Sequence, residues 1–410
     1  MNHKLFFLGF VAMVAVTNCF GRGDEAQRKI TLPGKISGSE FANAVESVSV
    51  FDLKLDDDKN HFLYTYLVCV SDNYIFYLNN WDQTLMCYDK HSGEKVSIRS
   101  LRGRSGAELL GAESMYCVDD TICIFEQNGG FIKKYDCHCK YVSTVNKTAF
   151  SGEDVEPLGN KGYAVVSDGG FPISEDMKKW ENKYVSIYDS KFKLVSRYFE
   201  IPSVHYGQTK YYGDRCLYTI GDTLRFAYSL GTKLYSYCNG KAVCSYEFLL
   251  PNPLPDSYIK NDSKQLWDGE KKGYGGFLTN WGETSRFIEF TYTCGGKRYM
   301  TLLDKRTNKT FTVKELGYPE QIKPEESWNF CFGNAITHLL FADGEYLYFD
   351  CTTMLYNYLC RYEKNLDGKI KALLADFKKT IERNKEYLDG LDPDEATNHT
   401  HFILKVKLKN

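Results

Sequence analysis

The sequence predicts an all-β protein, a six-bladed β-propeller with one C-terminal amphipathic helix before the closing strand. Five segments of one shape recur about every 50 residues, a period typical of propeller blades. Each segment consists of short strands and polar turns, and an alternating apolar strand lies at the end of the chain. Aromatic residues make up 15% of the chain, which also favours pleated structure.

The repeated segment is an apolar strand that often ends in Tyr-Asp, a short polar turn and a second strand. Its copies are LMCYDKHSGEKVSI (85–98), IKKYDCHCKYVSTV (132–145), VSIYDSKFKLVSRY (185–198), KLYSYCNGKAVCSY (233–246) and YMTLLDKRTNKTFTV (299–313). The last copy follows at a longer interval, which an insertion at 251–272 explains. We expect each copy to form the outer half of a four-stranded blade.

A sixth blade is predicted at 329–332, 335–341, 346–350 and 353–362, completed by a strand from the other end of the chain. The candidate closing strands are VESVSVFDLKL (45–55) and a C-terminal strand at about 402–409. Pairing the first and last strands removes the exposed edges of the ring. The stripe Ile370, Leu374, Phe377, Ile381 and Leu388 predicts the helix, at about 368–390.

The first residues indicate export. Residues 1–18 combine a short basic start with an apolar run that is too short to span a bilayer and is typical of a signal peptide. The run ends at Val16-Thr17-Asn18-Cys19, which resembles a bacterial lipobox and predicts lipidation of Cys19. Residues 19–44 are polar and glycine-bearing, so we interpret them as a tether. The propeller is expected at 45–410, on an outer membrane lipoprotein facing the periplasm or the cell surface.

The glycine-rich stretch LRGRSGAELLGAE (101–113) raises the question of a phosphate-binding loop. Such a loop needs Lys and Ser or Thr after its last glycine, and Gly111 is followed by Ala112 and Glu113. The stretch lies between the outer strand of one predicted blade and the inner strand of the next. We therefore interpret it as an inter-blade corner.

This corner resembles the Gly-Arg-Gly-Pro-Gly-Glu-Tyr loop of the six-bladed β-propeller lipoproteins of Bacteroidetes, propellers of the NHL and TolB-like type. Gly103, Arg104 and Glu108 match that loop, whereas residues 105–107 read Ser-Gly-Ala. The run YDKHSGEK (88–95) and the tail ILKVKLKN (403–410) are also similar to the family. The resemblance covers residues 45–410 and implies an envelope-anchored propeller. It implies no activity.

The chain has 14 cysteines, which in an exported protein raises the question of disulfides. Cys238 and Cys244 flank an Asn-Gly hairpin turn, so Cys238 is expected opposite Lys241 and Cys244 opposite Tyr235. The two thiols then point to opposite faces of the hairpin. Most of the cysteines are expected to be small buried apolar residues, and whether any pair forms a disulfide stays open.

Motifs for catalysis are absent from the sequence: it holds no Gly-x-Ser-x-Gly elbow and no His-Glu-x-x-His helix. The predicted inner strands carry few polar side chains that could line a catalytic channel: Asp154, Glu156, Asp214 and Asn280. We predict no catalytic residue, no metal site and no cofactor. The balance of 51 basic and 53 acidic residues leaves no surplus for nucleic acid.

Four tryptophans are predicted in or beside loops on one face of the propeller: Trp81, Trp180, Trp267 and Trp328. Together with Arg104 they are the candidate ligand-binding residues, because tryptophans around a cavity suit stacking on sugars or grasping a peptide. The alternative is that the rings fill gaps between blades. The sequence thus favours a non-enzymatic binding or scaffold propeller, whose partner is a small ligand, glycan, peptide or envelope protein. The alternative hypothesis for the function is a lactonase-like or lyase-like propeller enzyme with a metal in its central channel.

Overall fold

A closed ring of six β-sheets forms the body of the protein in the computed structural model, which confirms the predicted six-bladed propeller. The structure describes residues 28–51, 53, 66–79, 82–126, 131–145, 154–166, 183–200, 217–228, 231–259, 272–317, 320–335, 338–389 and 400–410. Successive blades contact one another around the ring through their inner strands, or through β16 and β19 between blades four and five, and the sixth blade contacts the first.

Blades one to three each hold four consecutive antiparallel strands. Blade one is β3 Tyr66–Val70, β4 Tyr74–Asn79, β5 Thr84–Asp89 and β6 Lys95–Ser100. Blade two is β7 Ser114–Val118, β8 Thr121–Glu126, β9 Phe131–Tyr135 and β10 Tyr141–Val145. Blade three is β11 Asp154–Pro157, β12 Tyr163–Val166, β13 Lys183–Tyr188 and β14 Leu194–Glu200.

Blades four and six take additional strands from the N-terminal segment. Blade four is β15 Leu217–Ile220, β16 Thr223–Ala227, β17 Lys233–Cys238 and β18 Lys241–Leu249, with β1 Arg28–Thr31 outside. Blade five is β19 Gly276–Glu283, β20 Phe287–Cys294, β21 Lys297–Asp304 and β22 Thr310–Lys314. Blade six is β23 Leu339–Ala342, β24 Tyr346–Thr352, β25 Thr400–Leu408 and β2 Val45–Phe51.

Blade six closes the ring with strands from both ends of the chain. The C-terminal β25 is its third strand, paired with β24 on one side and with β2 on the other. The prediction of strands at 329–332 and 353–362 is wrong, because these segments are helical: α3 Ser327–Phe330 runs into a π-helix at Cys331–Ala335, and α4 is Thr353–Arg361. Leu355 and Leu359 are fully buried and lie four residues apart, the spacing of one helix face.

The predicted tether is folded wherever the structure describes it. β1 pairs in parallel with β18, and α1 Gly38–Ala44 places Phe41 in the core at 1% exposure. Ser37 caps α1 by accepting a hydrogen bond from the Glu40 N–H. The interpretation of residues 19–44 as a tether is therefore wrong from Arg28 onward. The polar composition of this segment gave no indication that single apolar residues such as Phe41 are buried in the core.

The C-terminal helices cover blade six. α5 Gly368–Arg383 begins at the N-cap Asp367, whose carboxylate accepts the N–H groups of Lys369 and Ile370, and α6 is Lys385–Asp389. The buried face of α5 packs on β2 and joins the largest core cluster. Elsewhere in the chain, a short helix α2 is Asp256–Ile259. The 3₁₀ turns are Gly159–Lys161, Pro324–Glu326 and Glu363–Asn365. A π-helix is Cys331–Ala335. No described helix is long and apolar enough to cross a membrane.

The Tyr-Asp repeat has a structural cause in the turn between third and fourth strands. Asp89, Asp136 and Asp189 each accept hydrogen bonds from backbone N–H groups two to four residues ahead. These side-chain bonds close the turn and fix where the outer strand begins. Blade four lacks the aspartate and turns instead at Asn239-Gly240, where both residues have positive φ.

The register of that hairpin is as predicted, since Cys238 lies opposite Lys241 and Cys244 opposite Tyr235. The structure holds one disulfide among the described residues, between Cys69 of β3 and Cys117 of β7. It joins the inner strands of blades one and two. The two cysteines are 48 residues apart, about one blade repeat, so comparing positions between repeats is the signal that would have indicated this pair.

Candidate functional site

The predicted tryptophan site is only partly described by the structure. Trp81, Trp180 and Trp267 lie outside the described residues, as does Cys19. Trp328 is 1% exposed, and its ring stacks on Phe332 with the centroids 5.4 Å apart. The expectation that Trp328 offers a face to a ligand is therefore corrected. The ring packs in the core beside Phe41, so it is not available to a ligand.

Arg104 is exposed, in a loop whose conformation is held by hydrogen bonds from neighbouring residues. Glu108 Oε2 accepts the Ser105 N–H at 2.8 Å, and a Cβ at Gly103 would meet that carboxylate at 2.0 Å. Tyr135 of blade two donates to the Ala107 carbonyl at 3.1 Å. The matching residues Gly103 and Glu108 thus hold the corner between blades one and two. Arg104 is the one matching residue with its side chain exposed.

A pocket of about 280 Å³ opens at the ends of three inner strands. It is lined by residues 218–221 of blade four, 281–283 of blade five and 342–344 of blade six. Its volume is near the lower end of the ~300–1,000 Å³ typical of small-molecule sites. The lining residues lie at the turns between first and second strands. The pocket is therefore on the opposite face of the ring from the predicted tryptophan loops.

Glu283 is the most buried charge of the pocket wall, with 1% of its side chain exposed. Arg225 of β16 donates to both carboxylate oxygens, from Nε at 2.9 Å and from Nη2 at 3.1 Å. Lys305 Nζ donates to Oε1 at 2.6 Å, and Tyr218 Oη to Oε2 at 3.3 Å. Four donors from two blades thus fill the lone-pair positions of one carboxylate.

The charges around Glu283 settle its ionisation. Burial alone would raise the pKa of its carboxyl, but the Arg225 guanidinium and the Lys305 ammonium outweigh burial and hold that pKa below its usual range. Burial and the adjacent Glu283 carboxylate raise the pKa of the Tyr218 phenol well above its usual range. Glu283 is therefore an anion and Tyr218 a neutral donor at neutral pH.

Asp343 forms the other charged wall of the pocket. Its Oδ1 accepts the N–H groups of Glu345 at 3.1 Å and Tyr346 at 2.8 Å. Its Oδ2 accepts Tyr348 Oη at 2.9 Å and lies 3.2 Å from Nζ of Lys90, on blade one. Asp343 therefore joins the sixth blade to the first and, like Glu283, has no acceptor position left for a ligand.

Two of the polar residues predicted on inner strands, Asp154 and Glu156, join neighbouring blades. Asp154 accepts Ser114 Oγ at 3.0 Å, and Glu156 accepts the Thr219 N–H at 2.8 Å. Asn280 donates to Thr291 Oγ1 at 3.0 Å within its own blade, and Asp214 lies outside the described residues. Among the described residues no three His, Cys, Asp or Glu side chains group as they would around a metal ion.

Sequence reasoning missed this pocket because its residues come from three blades, more than 50 positions apart along the chain. The one available signal was the tripeptide Trp281-Gly282-Glu283 at the end of a predicted inner strand, where an acidic residue comes two positions after a tryptophan. The lining offers a rigid polar wall whose carboxylates are held by internal donors.

The fold is a six-bladed propeller with a pocket where the inner strands of blades four, five and six end. The family described as 6-bladed beta-propeller, DUF5128, matches residues 23–339. The chain belongs to this family. No curated protein matches its sequence.

Two solved structures share the fold. A Bacteroides fragilis protein described as exported superposes with a TM-score of 0.66 at 15% identity, covering 93% of this chain and 99% of that one. A DUF4221 member from Bacteroides vulgatus superposes with a TM-score of 0.50 at 9% identity, covering 89% of this chain and 97% of that one. At these identities the likeness is one of fold.

Proposed function

We propose that this chain is an exported, envelope-anchored β-propeller that binds a small ligand without transforming it. The observation that carries the proposal is the pocket between blades four, five and six, with its preformed polar wall. Glu283 and Asp343 are both locked by partners on neighbouring blades. A site whose side chains are already held in place binds without ordering cost, which favours recognition.

The pocket suits one ring of a glycan or one side chain of a peptide. Its volume of about 280 Å³ accommodates a group of that size but not a longer segment. The turns between the first and second strands of these blades line the pocket, so a ligand would approach it from that face of the propeller. A larger glycan or peptide would therefore present a single unit to the pocket and extend over the face.

Blocking the pocket tests this function. Ile220 is the last residue of β15 and lines the pocket, while Val118 is the last residue of β7, 44% exposed and away from it. The two residues occupy the same position of their blades, opposite Thr223 and Thr121. We expect Ile220→Trp to abolish thermal-shift and calorimetric responses to a panel of monosaccharides and dipeptides, and Val118→Trp to keep them. Equal responses of both variants would contradict the site.

Anchoring through a lipid on Cys19 is the second part of the proposal. It rests on the lipobox-like residues 16–19, on the likeness of Gly103, Arg104 and Glu108 to the lipoprotein loop, and on the exported Bacteroides neighbour. Arg28 enters the fold beside the Lys305 carbonyl, on the pocket-bearing face. Nine residue steps separate Cys19 from Arg28, so a lipid at Cys19 would lie within about 30 Å of that entry point.

The anchor is tested separately from the pocket. We expect wild-type protein to incorporate labelled palmitate and to sediment with membranes, because a diacylated cysteine provides two chains. The Cys19→Ser variant should lose the label and appear in the soluble fraction. Equal labelling of both proteins would exclude lipidation at Cys19 and leave the pocket proposal standing.

A further inference from the structure

A second buried glutamate, Glu289, lies beside the pocket, and its carboxyl has no hydrogen-bond partner among the described residues. Glu289 on β20 is 0% exposed, and within the described residues neither of its carboxyl oxygens has a hydrogen-bond partner. Buried polar groups in native proteins are hydrogen-bonded with few exceptions, because an unmade bond costs free energy. A ligand that brings hydrogen-bond donors to this carboxyl would satisfy Glu289.

The register places Glu289 next to the pocket wall. Glu289 lies directly opposite Gly282, a lining residue of β19. Residues that pair across antiparallel strands project to the same face of the sheet. A Cβ at Gly282 would meet Leu339 Cδ2 at 2.2 Å, so this face is the one turned toward blade six. The tip of Leu339, which is half-buried, fills the place that a side chain at Gly282 would occupy.

Glu289 also differs from the two carboxylates that line the pocket, because its acceptor positions are unused among the described residues. Glu283 and Asp343 each accept four donors from the protein. Burial raises the pKa of the Glu289 carboxyl well above its usual range, and the Arg298 guanidinium opposes this only in part. The raised pKa favours the protonated, neutral carboxyl while the pocket is empty, so Glu289 holds a proton that it can give up.

We propose that Glu289 is the group that recognises a ligand amine in this pocket, which makes the ligand a small ammonium compound such as an amino sugar. The inference rests on the proposed binding function. The ligand enters over Gly282, displaces the tip of Leu339, and donates from its ammonium to the Glu289 carboxylate. An ammonium supplies both three donors and the charge that a buried carboxylate needs. A hydroxyl supplies one donor and no charge.

The proton balance follows from the neutral starting state. The protonated carboxyl loses its O–H proton to solvent, and the resulting carboxylate accepts N–H donors from the ligand, whose ammonium keeps its protons. One proton is therefore released for each ligand bound at a pH between the usual range of a carboxyl and the raised pKa of Glu289. No redox step and no covalent bond to the ligand is involved.

Two matched pairs of probes test the assignment: glucosamine against glucose, and ethanolamine against ethylene glycol. Calorimetry in two buffers of different ionisation enthalpy measures both affinity and proton release. For the wild type we expect each amine to bind at least tenfold more tightly than its neutral counterpart, with release of about one proton. The Glu289→Gln variant should lose the preference and the proton release. Asp222→Asn, which neutralises an exposed carboxylate beside Gly221, should keep both.

The outcomes separate this inference from the proposed function. Equal binding of amines and neutral counterparts, or an amine preference that survives in Glu289→Gln, overturns the role of Glu289. If glucose binds and Ile220→Trp removes that binding, the pocket function stands without it. If no probe in either pair binds the wild type, the amine assignment is refuted, and the monosaccharide and dipeptide panel decides on the pocket by itself.

Discussion

Glu283 of blade five and Arg225 of blade four are joined by two hydrogen bonds, from Nε at 2.9 Å and from Nη2 at 3.1 Å. This contact belongs to a set of polar contacts that join blades around the ring. Blades one and two meet through Asp120 and Ser71 at 2.7 Å, two and three through Asp154, and three and four through Glu156. A carboxylate thus spans most of the blade interfaces and complements their apolar packing.

We expect Glu283→Gln to destabilise the protein by about 3–5 kcal/mol, because the substitution leaves the buried Arg225 and Lys305 charges uncompensated. Urea denaturation followed by tryptophan fluorescence measures the free energy of unfolding. Lys29→Gln is the matched control, since Lys29 is exposed where it pairs with Glu247, and surface ion pairs are worth ~0–1 kcal/mol. A loss no larger than that of the control would show that the ion pair contributes little.

Glu283 also predicts sensitivity to acid. Its pKa is lower in the folded protein than the ordinary value of 4.5, so the folded state binds its proton less tightly than the unfolded chain. The stabilisation is complete above pH 4.5 and is lost as pH falls below 4.5 through the folded-state pKa. Melting temperatures between pH 7 and pH 3 should fall more steeply for the wild type than for Glu283→Gln. Parallel curves would argue against the shift.

Glu289 predicts the opposite pH dependence. Its pKa is raised on folding, so its contribution is complete below the ordinary value of 4.5 and is lost as pH rises from there toward the folded-state pKa. Glu289→Gln stays neutral throughout and should be more stable than the wild type at pH 8, by about 1–3 kcal/mol. The variant should lose its advantage near pH 4. A destabilised variant at both pH values would mean that the carboxyl makes a contact that glutamine does not replace.

Deleting residues 400–410 should open the ring, because it removes the strand that closes blade six. These residues form β25, which holds β24 and β2 together, so its loss leaves two strand edges exposed. We expect aggregation or a markedly lower melting temperature, measured by light scattering and circular dichroism. Removing only Lys409 and Asn410, which follow β25, is the control and should leave the melting temperature within a few degrees of the wild type. A monomeric deletion variant with unchanged melting would contradict closure by β25.

Trp328→Ala should cost about 3–5 kcal/mol, because removing a fully buried aromatic ring leaves a cavity. The same variant should bind pocket ligands as the wild type does, since Trp328 lies in the core cluster beneath blades five and six and does not line the pocket. Chemical denaturation measures the first effect and calorimetry the second. A stable variant with weakened ligand binding would instead support the prediction that Trp328 is a ligand-binding residue.

The sequence by itself determined the blade repeat, the ring of six, and the use of strands from both ends of the chain. These features depend on local patterns: the Tyr-Asp turns, the alternation of residues 402–408 and the Asn-Gly hairpin at 239–240. Each pattern acts within one hairpin, where strand period and turn chemistry fix the register.

Only the tertiary structure decided the site and the details of closure. Tyr218, Glu283 and Asp343 line one pocket because three inner strands converge at the axis, which no pattern within one blade records. The different states of Glu283 and Glu289 follow from whether Arg225 and Lys305 reach the carboxylate after folding. Burial and charge pairing are properties of the assembled ring, so identical residue types in one blade acquire opposite pKa shifts.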